Sequence, residues 1–373
     1  MRALVAGGAG FIGSHLCERL LADGHEVFAF DNFITGRAVN VASFANYERF
    51  HLVETDIIEP LPALPPLNRI FHLASPASPP GYQVHPIETL RVNSEGSRHL
   101  LELAKRDGAS FLYASTSEAY GDPLEHPQRE SYRGNVSSTG PRSMYDEAKR
   151  YGEALTMAYC RTRNVDARIV RIFNTYGPRS DPNDGRLVPN FITQSLRGEP
   201  LTVYGDGSQT RSLCYVSDLV DGLVRAMEAA PARGEVTNLG NPEEHTVLEF
   251  ASMINELAGG RSNVRYTEQA VGDDPQRRKP DITMARARLG WEPKVGPGRS
   301  ISLSGRHSSR KFAFRRGRSD GSGWSLRVTQ RPHPDVQGRK RSRRVCKGLP
   351  CDSRNGMEER RAVRLPHALS HRD

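Results

Sequence analysis

A glycine-rich turn near the amino terminus, set between a short apolar strand and a helix, constrains the fold of this chain more than any other segment. Arg2 to Ala6 reads as the strand, the run Gly7-Gly8-Ala9-Gly10-Phe11-Ile12-Gly13 follows it, and Ser14 to Leu21 continues with helical spacing. His25 to Phe30 then has the composition of a second strand. Because parallel strands need a crossover connection, the amino terminus predicts a βαβ unit.

The spacing of these glycines predicts a dinucleotide site. Gly7 allows the tight turn, Gly10 lets the backbone approach a pyrophosphate, and Gly13 lets the helix pack on the strand. The helix amino terminus attracts the phosphate charge. Asp31 ends the second strand, where a carboxylate can accept hydrogen bonds from an adenosine ribose and would repel a 2′-phosphate. We therefore predict NAD rather than NADP, although Arg37 nearby keeps NADP open, and a loop that serves packing alone is the alternative.

Strand and helix continue to alternate through most of the chain. Further strands are predicted at Phe50 to Val53, Arg69 to Leu73, Phe111 to Ala114 and Ala167 to Ile172, and helices near Ile87 to Arg106 and Tyr145 to Arg163. This pattern predicts an α/β fold with a doubly wound parallel Rossmann sheet. We place the NAD-binding domain at residues 1–180, with core strands that can continue beyond it, a smaller substrate-binding lobe mainly at 181–298, and a tail at 299–373.

The formal net charge of +9 arises in the carboxyl-terminal tail. Residues 299–373 hold 20 of the 52 Lys and Arg residues but 6 of the 43 Asp and Glu residues, so the rest of the chain is mildly acidic. The tail is rich in Arg, Ser, Gly and Pro and lacks sustained periodicity, so we expect it to be disordered or aberrant. Its basic runs could bind nucleic acid, but only nonspecifically.

Composition favours a reduced, cytoplasmic enzyme. A chain of 373 residues can bury a substantial core. No apolar run reaches the roughly 20 residues that a membrane-spanning helix needs, and the first strand begins at residue 2, so we expect neither a membrane partner nor secretion. The five cysteines form no disulfide framework, nucleophile motif or metal motif, and we predict no metal site.

Tyr145 and Lys149 are four residues apart on a predicted helix and therefore share one face. A cation at about 4 Å favours a phenolate by roughly 4 kcal/mol at an effective dielectric of about 20, or about 3 pK units from the ordinary value near ~10. Such a pair can supply a base near neutral pH. The spacing also arises by chance on helix surfaces, but the upstream cluster Ser115-Thr116-Ser117-Glu118 favours catalysis. These residues predict oxidation at a sugar carbon.

Several motifs occur together and point to one family. They are Gly7-Gly8-Ala9-Gly10-Phe11-Ile12-Gly13, Ser115-Thr116-Ser117-Glu118, Tyr145 with Lys149, and Arg171-Ile172-Phe173-Asn174-Thr175-Tyr176-Gly177-Pro178. In this combination the chain resembles the extended short-chain dehydrogenase/reductases that act on nucleotide sugars. A second set resembles the UDP-glucuronate decarboxylase branch: His72-Leu73-Ala74-Ser75-Pro76-Ala77-Ser78-Pro79-Pro80-Gly81-Tyr82, Gly121-Asp122-Pro123, Gln209-Thr210-Arg211-Ser212 and Arg278-Lys279-Pro280-Asp281-Ile282. The resemblance spans roughly residues 1–296, and the tail has no counterpart of the amphipathic helix with which the family normally continues.

The resemblance implies a closed redox cycle on UDP-glucuronate. Tyr145 removes the proton from the sugar C4 hydroxyl, Lys149 holds the phenolate and the nicotinamide ribose, and Thr116 steadies the hydroxyl while hydride passes to NAD. The 4-keto sugar then loses carbon dioxide, C5 is reprotonated, and hydride returns to C4 to give UDP-xylose. Arg278 is expected to orient the carboxylate and support reprotonation, whereas Glu118 disfavours the carboxylate and favours neutral carbon dioxide.

The same resemblance implies the site residues and a homodimer. The implied catalytic residues are Thr116, Ser117, Glu118, Tyr145, Lys149 and Arg278. The implied cofactor-binding residues are Gly7, Gly10, Phe11, Ile12, Gly13, Asp31, Asn32, Thr35, Gly36, Asp56, Ile57, Leu73, Ala74, Ser75, Asn93, Ala114, Tyr145, Lys149, Thr175 and Arg186. Those implied to face the UDP-sugar are Tyr82, Asn174 and Arg211. Each has a structural alternative: Asp56 and Asn93 as turn or cap residues, Tyr82 as a core residue, and Arg186 as a surface charge.

Three other functions remain open. A UDP-sugar 4-epimerase shares Tyr145, Lys149 and NAD, but needs neither Glu118 nor the segment around Arg278. A 4,6-dehydratase normally has an acidic pair after the Thr, and here Ser117 occupies the first of those positions. The third alternative is an inactive NAD-binding protein whose basic tail binds nucleic acid, and the intact Tyr and Lys argue against it.

Overall fold

The protein is built around a seven-stranded parallel sheet. The computed structural model describes residues 1–229, 234–268 and 277–296. The strands in this part of the chain are β1 (Arg2–Ala6), β2 (Glu26–Asp31), β3 (Phe50–Glu54), β4 (Arg69–His72), β5 (Ser110–Thr116), β6 (Ala167–Ile172), β7 (Thr175–Tyr176), β8 (Leu201–Tyr204), β9 (Thr210–Ser212), β10 (Cys214–Tyr215), β11 (Glu235–Leu239), β12 (Glu244–Thr246) and β13 (Val264–Thr267). The helices are α1 (Phe11–Ala22), α2 (Pro79–Val84), α3 (Pro86–Arg91), α4 (Ser97–Asp107), α5 (Ser143–Arg163), α6 (Leu187–Arg197), α7 (Val216–Glu228), α8 (Val247–Leu257) and α9 (Thr283–Leu289).

The strand order confirms the predicted fold class. The sheet runs β11-β6-β5-β4-β1-β2-β3, so the order reverses beside β1, as in doubly wound sheets that bind nucleotides. β1 and β6 have the predicted bounds, and the ends of β2 to β5 differ from the prediction by one or two residues. Such small differences are expected where strands fray into loops.

The sheet is buried on both faces, which is why its strands read as apolar runs rather than as alternating patterns. Along β1, Ala3 and Val5 face one core, which they share with α1 and α7, whereas Leu4 and Ala6 face a second core shared with α4. Each of these four residues is 0% exposed. The site at the strand ends is therefore carried on a rigid scaffold.

The helix predicted near Ile87 to Arg106 is present as continuous helical backbone from Pro86 to Asp107, but it contains a π-helical turn that was not predicted. α3 ends at Arg91, a π-helical turn spans Val92–Gly96, and α4 begins only at Ser97. The apolar spacing predicted one helix because a π turn adds a residue without interrupting the chain direction. Within it Gly96 packs so closely that a Cβ there would lie 2.8 Å from Ile57 Cδ1.

Shorter strand pairs accompany the main sheet in the second half of the chain. β8 pairs with β13, β9 with β12, and β7 with β10. β11 joins the main sheet beside β6. The indole nitrogen of the buried Trp291 donates to the carbonyl oxygen of Asp218 at 2.9 Å. This hydrogen bond holds the segment after α9 against α7. The domain boundaries at residues 180 and 298 stay predictions.

Two further sequence predictions concern the carboxyl-terminal tail and membrane-spanning helices. The proposed tail at 299–373 lies outside the described residues. Over residues 1–229, 234–268 and 277–296, no helix is both long and apolar enough to cross a membrane.

Candidate active site

One cleft of about 690 Å³ lies at the carboxyl ends of the central strands, the edge at which doubly wound sheets bind ligands. The predicted residues that line it are Gly7, Gly10, Phe11, Ile12, Gly13, Thr35, Leu73, Ser75, Tyr82, Ala114, Thr116, Ser117, Glu118, Tyr145, Lys149, Asn174, Thr175, Arg186, Arg211 and Arg278. A smaller adjoining pocket of about 70 Å³ is lined by Asp31, Asn32, Gly36, Asp56, Ile57 and Ala74. Asn93 is the one predicted residue that lines neither cavity.

The glycine turn forms a cradle at the start of α1. Gly7 has a φ of 81°, and a Cβ there would lie 2.8 Å from the backbone nitrogen of Ala74. A Cβ on Gly13 would lie 2.0 Å from the carbonyl oxygen of Gly7. Gly10 precedes the helix, and no side chain of the described residues caps the first amide groups. These amides line the cleft, so the residues present fit a pyrophosphate.

Asp31 is fixed by the backbone around it. Its Oδ2 accepts a hydrogen bond from the Ala9 amide and its Oδ1 one from the Phe33 amide, both at 2.9 Å. The guanidinium of Arg37 lies 3.7 Å from the Asp181 carboxylate. A fixed carboxylate at the end of β2, with the nearby arginine paired elsewhere, favours a ribose over a ribose 2′-phosphate.

Asn93 supports the wall of the cleft from behind. It lies in the π-helical turn and is 0% exposed. Its amide nitrogen donates to Ser75 Oγ at 2.9 Å, and its amide oxygen accepts from the Tyr113 hydroxyl at 2.8 Å. Asn93 therefore positions Ser75, which lines both cavities, and its predicted contact with the cofactor stays a prediction.

Tyr145, Thr116 and Lys149 meet at the centre of the cleft. The Lys149 ammonium donates to the Ala114 carbonyl at 2.9 Å and lies 5.9 Å from the centroid of the Tyr145 ring. Burial raises the pKa of Tyr145, and a hydrogen bond with Thr116 opposes that shift. Burial lowers the pKa of Lys149 to about 7. The predicted phenolate at neutral pH therefore does not follow from Lys149 alone, because burial disfavours the charged form of each group.

The ring of Tyr82 stacks on the ring of Tyr145, with centroids 5.0 Å apart and an angle of 10° between the planes. Tyr82 is carried by the short helix α2, which Ser78 caps by accepting from the Gly81 amide. Its hydroxyl is buried without a hydrogen-bond partner among the described residues. Tyr82 thus closes one side of the reaction centre.

Glu118 lies between two arginines at the other side of Tyr145. Arg278 binds it bidentately: Nη1 donates to Oε1, and Nη2 donates to Oε2 at 2.7 Å. Arg142 also donates to Oε2. Arg278 is 5% exposed and Arg142 is 6% exposed, so these charge-assisted bonds are largely desolvated. Two guanidinium groups and one carboxylate leave a net positive charge on the wall of the cleft.

The chain matches a known protein family over most of its length. Residues 3–240 match the family described as the NAD dependent epimerase/dehydratase family. The chain belongs to this family. The match confirms both the predicted family and the predicted cofactor, NAD.

Relatives within the epimerase/dehydratase family share about half of the sequence. The chain is 52% identical over 311 residues to UDP-glucuronic acid decarboxylase 1 of Danio rerio, covering 83% of this chain and 73% of the relative. It is 52% identical over 306 residues to UDP-glucuronic acid decarboxylase 4 of Arabidopsis thaliana, covering 81% and 67%. These relatives confirm the predicted resemblance to the decarboxylase branch.

Solved structures of the family share the fold at lower identity. UDP-glucose 4-epimerase from Thermotoga maritima, solved with UDP-glucose, has a TM-score of 0.77 and 30% identity, and the match covers 84% of this chain and 100% of that chain. UDP-glucuronic acid 4-epimerase from Bacillus cereus, solved with UDP-glucuronic acid and NAD, has a TM-score of 0.74 and 28% identity, with coverage of 83% and 99%.

The structure adds Arg142, Asp146 and Glu153, which the sequence reasoning missed. Burial, with the Glu118 carboxylate as the second cause, raises the pKa of Asp146, whose Oδ1 is buried without a partner among the described residues. Glu153 follows Lys149 by four residues, and the helix-face argument that joined Tyr145 to Lys149 could have found it. Arg142 had no such signal, because it precedes α5 in a loop-like stretch.

Asn174, Arg186 and Arg211 lie in the cleft on three separate segments of the chain that follow β6. Arg186 pairs with Asp184. Nη1 of Arg211 donates to the carbonyl oxygen of Thr210 at 2.8 Å. Their roles toward cofactor and sugar stay predictions.

Proposed function

We propose that this chain converts UDP-glucuronate to UDP-xylose and carbon dioxide through a 4-keto intermediate. The observation that carries the proposal is the cluster of Glu118, Arg142 and Arg278 in the same cleft as Tyr145 and Lys149. Relatives at 52% identity are UDP-glucuronic acid decarboxylases, and a cleft wall with net positive charge suits a substrate whose sugar carries a carboxylate.

In this proposal Tyr145 removes the proton of the C4 hydroxyl, Thr116 hydrogen-bonds the same hydroxyl, and Lys149 supplies the positive charge that favours the phenolate. When bound, NAD supplies a reversible hydride acceptor for C4. The cradle of Gly7, Gly10 and Gly13 binds its pyrophosphate. A ketone at C4 then accepts the electron pair released as the C5 carboxylate departs.

Arg278 and Glu118 are assigned to the second half of the reaction. Arg278 orients the uronate carboxylate and supports proton delivery to C5, and Arg142 shares the negative charge of Glu118. Tyr82, Asn174 and Arg211 are assigned to the UDP-sugar, and Ser117 to the turn that holds Glu118. The remaining predicted cofactor residues keep the roles given above, with Asn93 acting through Ser75.

We assign the protein to the cytoplasm and to a homodimer. The helical face formed by α2, α3 and α5 exposes Val84, Ile87, Leu90 and Tyr151, which are 70%, 60%, 40% and 52% exposed. Burying such apolar side chains against a second copy is favourable at about 25 cal/mol per Å². The three cysteines among the described residues are free and buried, which suits a reducing compartment.

The main competitor is a UDP-glucuronate 4-epimerase, because a solved epimerase of similar fold binds the same sugar acid. Both reactions begin with oxidation at C4, but the epimerase keeps the carboxylate.

Mass spectrometry of the products from purified protein and UDP-glucuronate tests the proposal. We expect a product with the mass of UDP-pentose and the release of carbon dioxide, without net NADH. A Tyr145→Phe variant should bind NAD normally and lose turnover by about 100-fold or more, since only the base is removed. A product that retains the mass of UDP-glucuronate would identify an epimerase and contradict the proposal.

A further inference from the structure

Glu153 lies one helical turn beyond Lys149 on α5, inside the protein rather than on its surface. Its side chain is 12% exposed. Oε1 accepts hydrogen bonds from the Ser115 hydroxyl at 2.5 Å and from Arg171 Nε at 2.9 Å, and Oε2 accepts from Arg171 Nη2 at 2.8 Å. The carboxylate is therefore held in one orientation by groups on two strands, β5 and β6.

Arg171 is itself held in place. Its Nη1 donates to the Glu130 carbonyl at 3.3 Å, and its guanidinium lies 4.6 Å from the centroid of the Tyr120 ring. Burial alone would lower the pKa of Arg171, but the Glu153 carboxylate and, to a lesser extent, Tyr120 raise it overall, so this arginine stays charged. Arg171 thus fixes the Glu153 carboxylate one helical turn from the active-site lysine.

The groups around Lys149 come from several elements. His72 lies on β4, Tyr113 and the Ala114 carbonyl on β5, and Tyr145 on α5; the ammonium is 5.2 Å from the Tyr113 ring centroid. Burial, with Lys149 as the second cause, lowers the pKa of His72 to about 3, so His72 is neutral near pH 7. Burial lowers the pKa of Lys149, and Glu153 is the charged group that opposes this shift. No other carboxylate among the described residues has that effect on Lys149.

We propose that Glu153 is a positioning residue for the reaction, which keeps the Lys149 ammonium charged and fixes the strand that orients it. The second effect follows from Ser115, because this residue stands between Ala114, whose carbonyl binds Lys149, and Thr116, which hydrogen-bonds Tyr145. The hydrogen bond from Ser115 to Glu153 therefore fixes β5 against α5 at the two residues that contact Lys149 and Tyr145, which are Ala114 and Thr116. This inference rests on the roles proposed for Tyr145 and Lys149.

The pH dependence of kcat separates this role from a merely structural one. Removing the carboxylate takes away the charge that favours the Lys149 ammonium, so Lys149 loses its proton at lower pH. In Glu153→Gln the alkaline limb of the kcat profile should move to lower pH by about one unit, a shift expected for a partly compensated charge one helical turn away.

Glu147→Gln is the matched control on the same helix. The side chain of Glu147 is 37% exposed and pairs with Arg150 at 3.5 Å, so its substitution should leave the alkaline limb where it lies in the unmodified protein. NAD content and the thermal unfolding midpoint of each variant report whether the fold is retained.

If Glu153→Gln does not fold, because Arg171 is left buried without its partner, the double variant Glu153→Gln with Arg171→Met removes both charges. It should show a smaller shift in the same direction, because the repulsion by Arg171 is removed together with the attraction by Glu153. A folded, NAD-containing Glu153→Gln or double variant with the pH profile of the unmodified protein would overturn the inference. The profile can be measured on either a decarboxylase or an epimerase, since both begin at C4. Failure of the proposed function, which appears in the product of the unmodified protein, is therefore distinct from failure of this inference.

Discussion

Glu118 restrains Arg278, the arginine that we propose to orient the uronate carboxylate. Both Nη groups of Arg278 are already bound to Glu118, so its guanidinium cannot also hold a substrate carboxylate through the same pair of nitrogens. A tight bidentate grip on the substrate would stabilise the ground state and oppose the loss of carbon dioxide. The Glu118–Arg278 pair therefore gives orientation without full neutralisation of the leaving carboxylate.

Substitution of Arg278 should separate oxidation from decarboxylation. Arg278→Ala should still form reduced cofactor in the presence of UDP-glucuronate, seen as absorbance at about 340 nm, because Tyr145 and Lys149 are intact. Formation of UDP-xylose should fall by about 100-fold or more, the usual loss when one preorganised charged donor is removed. Arg277→Ala is the neighbouring control, since Arg277 is exposed. Equal loss of both steps in Arg278→Ala would make Arg278 a binding residue.

Residue spacing was sufficient to predict that Tyr145 and Lys149 lie together, but not to predict their protonation. Tyr145 and Lys149 could be paired because four residues make one helical turn. Their pKa shifts depend on burial, which is set by residues distant in sequence such as Tyr82 and Tyr113. Arg142 was missed for the same reason, because only the fold brings it to Glu118.

At the scale of single elements, the junction of β1 and α1 decides whether the cofactor site exists. Gly7 has a positive φ, and the carbonyl oxygen of Gly7 occupies the space where a side chain at position 13 would begin. The junction can therefore adopt its close packing only with glycine at position 13. The sequence predicted this element well because its constraint is local.

Gly13→Ala should weaken both folding and NAD binding. A Cβ at 2.0 Å from the Gly7 carbonyl oxygen forces the backbone to move, at a cost of about 3 kcal/mol. Thermal unfolding and NAD content of the purified variant measure the two effects. Gly108→Asn is the control, since this αL position at the end of α4 has no atom within 4 Å of an added Cβ and Asn tolerates that conformation. Equal midpoints and NAD contents for the two variants would contradict the close-packing account.

The π-helical turn shows where local patterns fail. Ile87 to Arg106 has the apolar spacing of one helix, yet the structure inserts a π turn at Val92–Gly96. The turn brings Asn93 under Ser75, a contact 18 positions away in the sequence. This hydrogen bond is a tertiary contact, and helix periodicity carries no record of such contacts.

At the scale of the whole molecule, the strand order places the groups proposed for oxidation and those proposed for decarboxylation in one cleft. β1 and β4 bring the dinucleotide cradle, β5 brings Thr116, the turn after β5 brings Glu118, and the later chain brings Arg278 back to them. The alternation of strands and helices was enough to predict the sheet. It could not predict the return of the segment near Arg278, because that return depends on long-range contacts such as the hydrogen bond from Lys279 to the Gln128 side chain at 2.8 Å.

We expect a closed redox cycle within this cleft, in which the hydride removed from C4 returns to C4. Isotope incorporation tests this cycle most directly. Hydride that leaves C4 and returns to it from bound NAD never exchanges with water, whereas the new C5 hydrogen comes from a proton. UDP-xylose formed from unlabelled UDP-glucuronate in deuterium oxide should therefore carry one deuterium at C5 and protium at C4, as read by nuclear magnetic resonance. Deuterium at C4, or NADH accumulating in proportion to a released 4-keto sugar, would contradict the account.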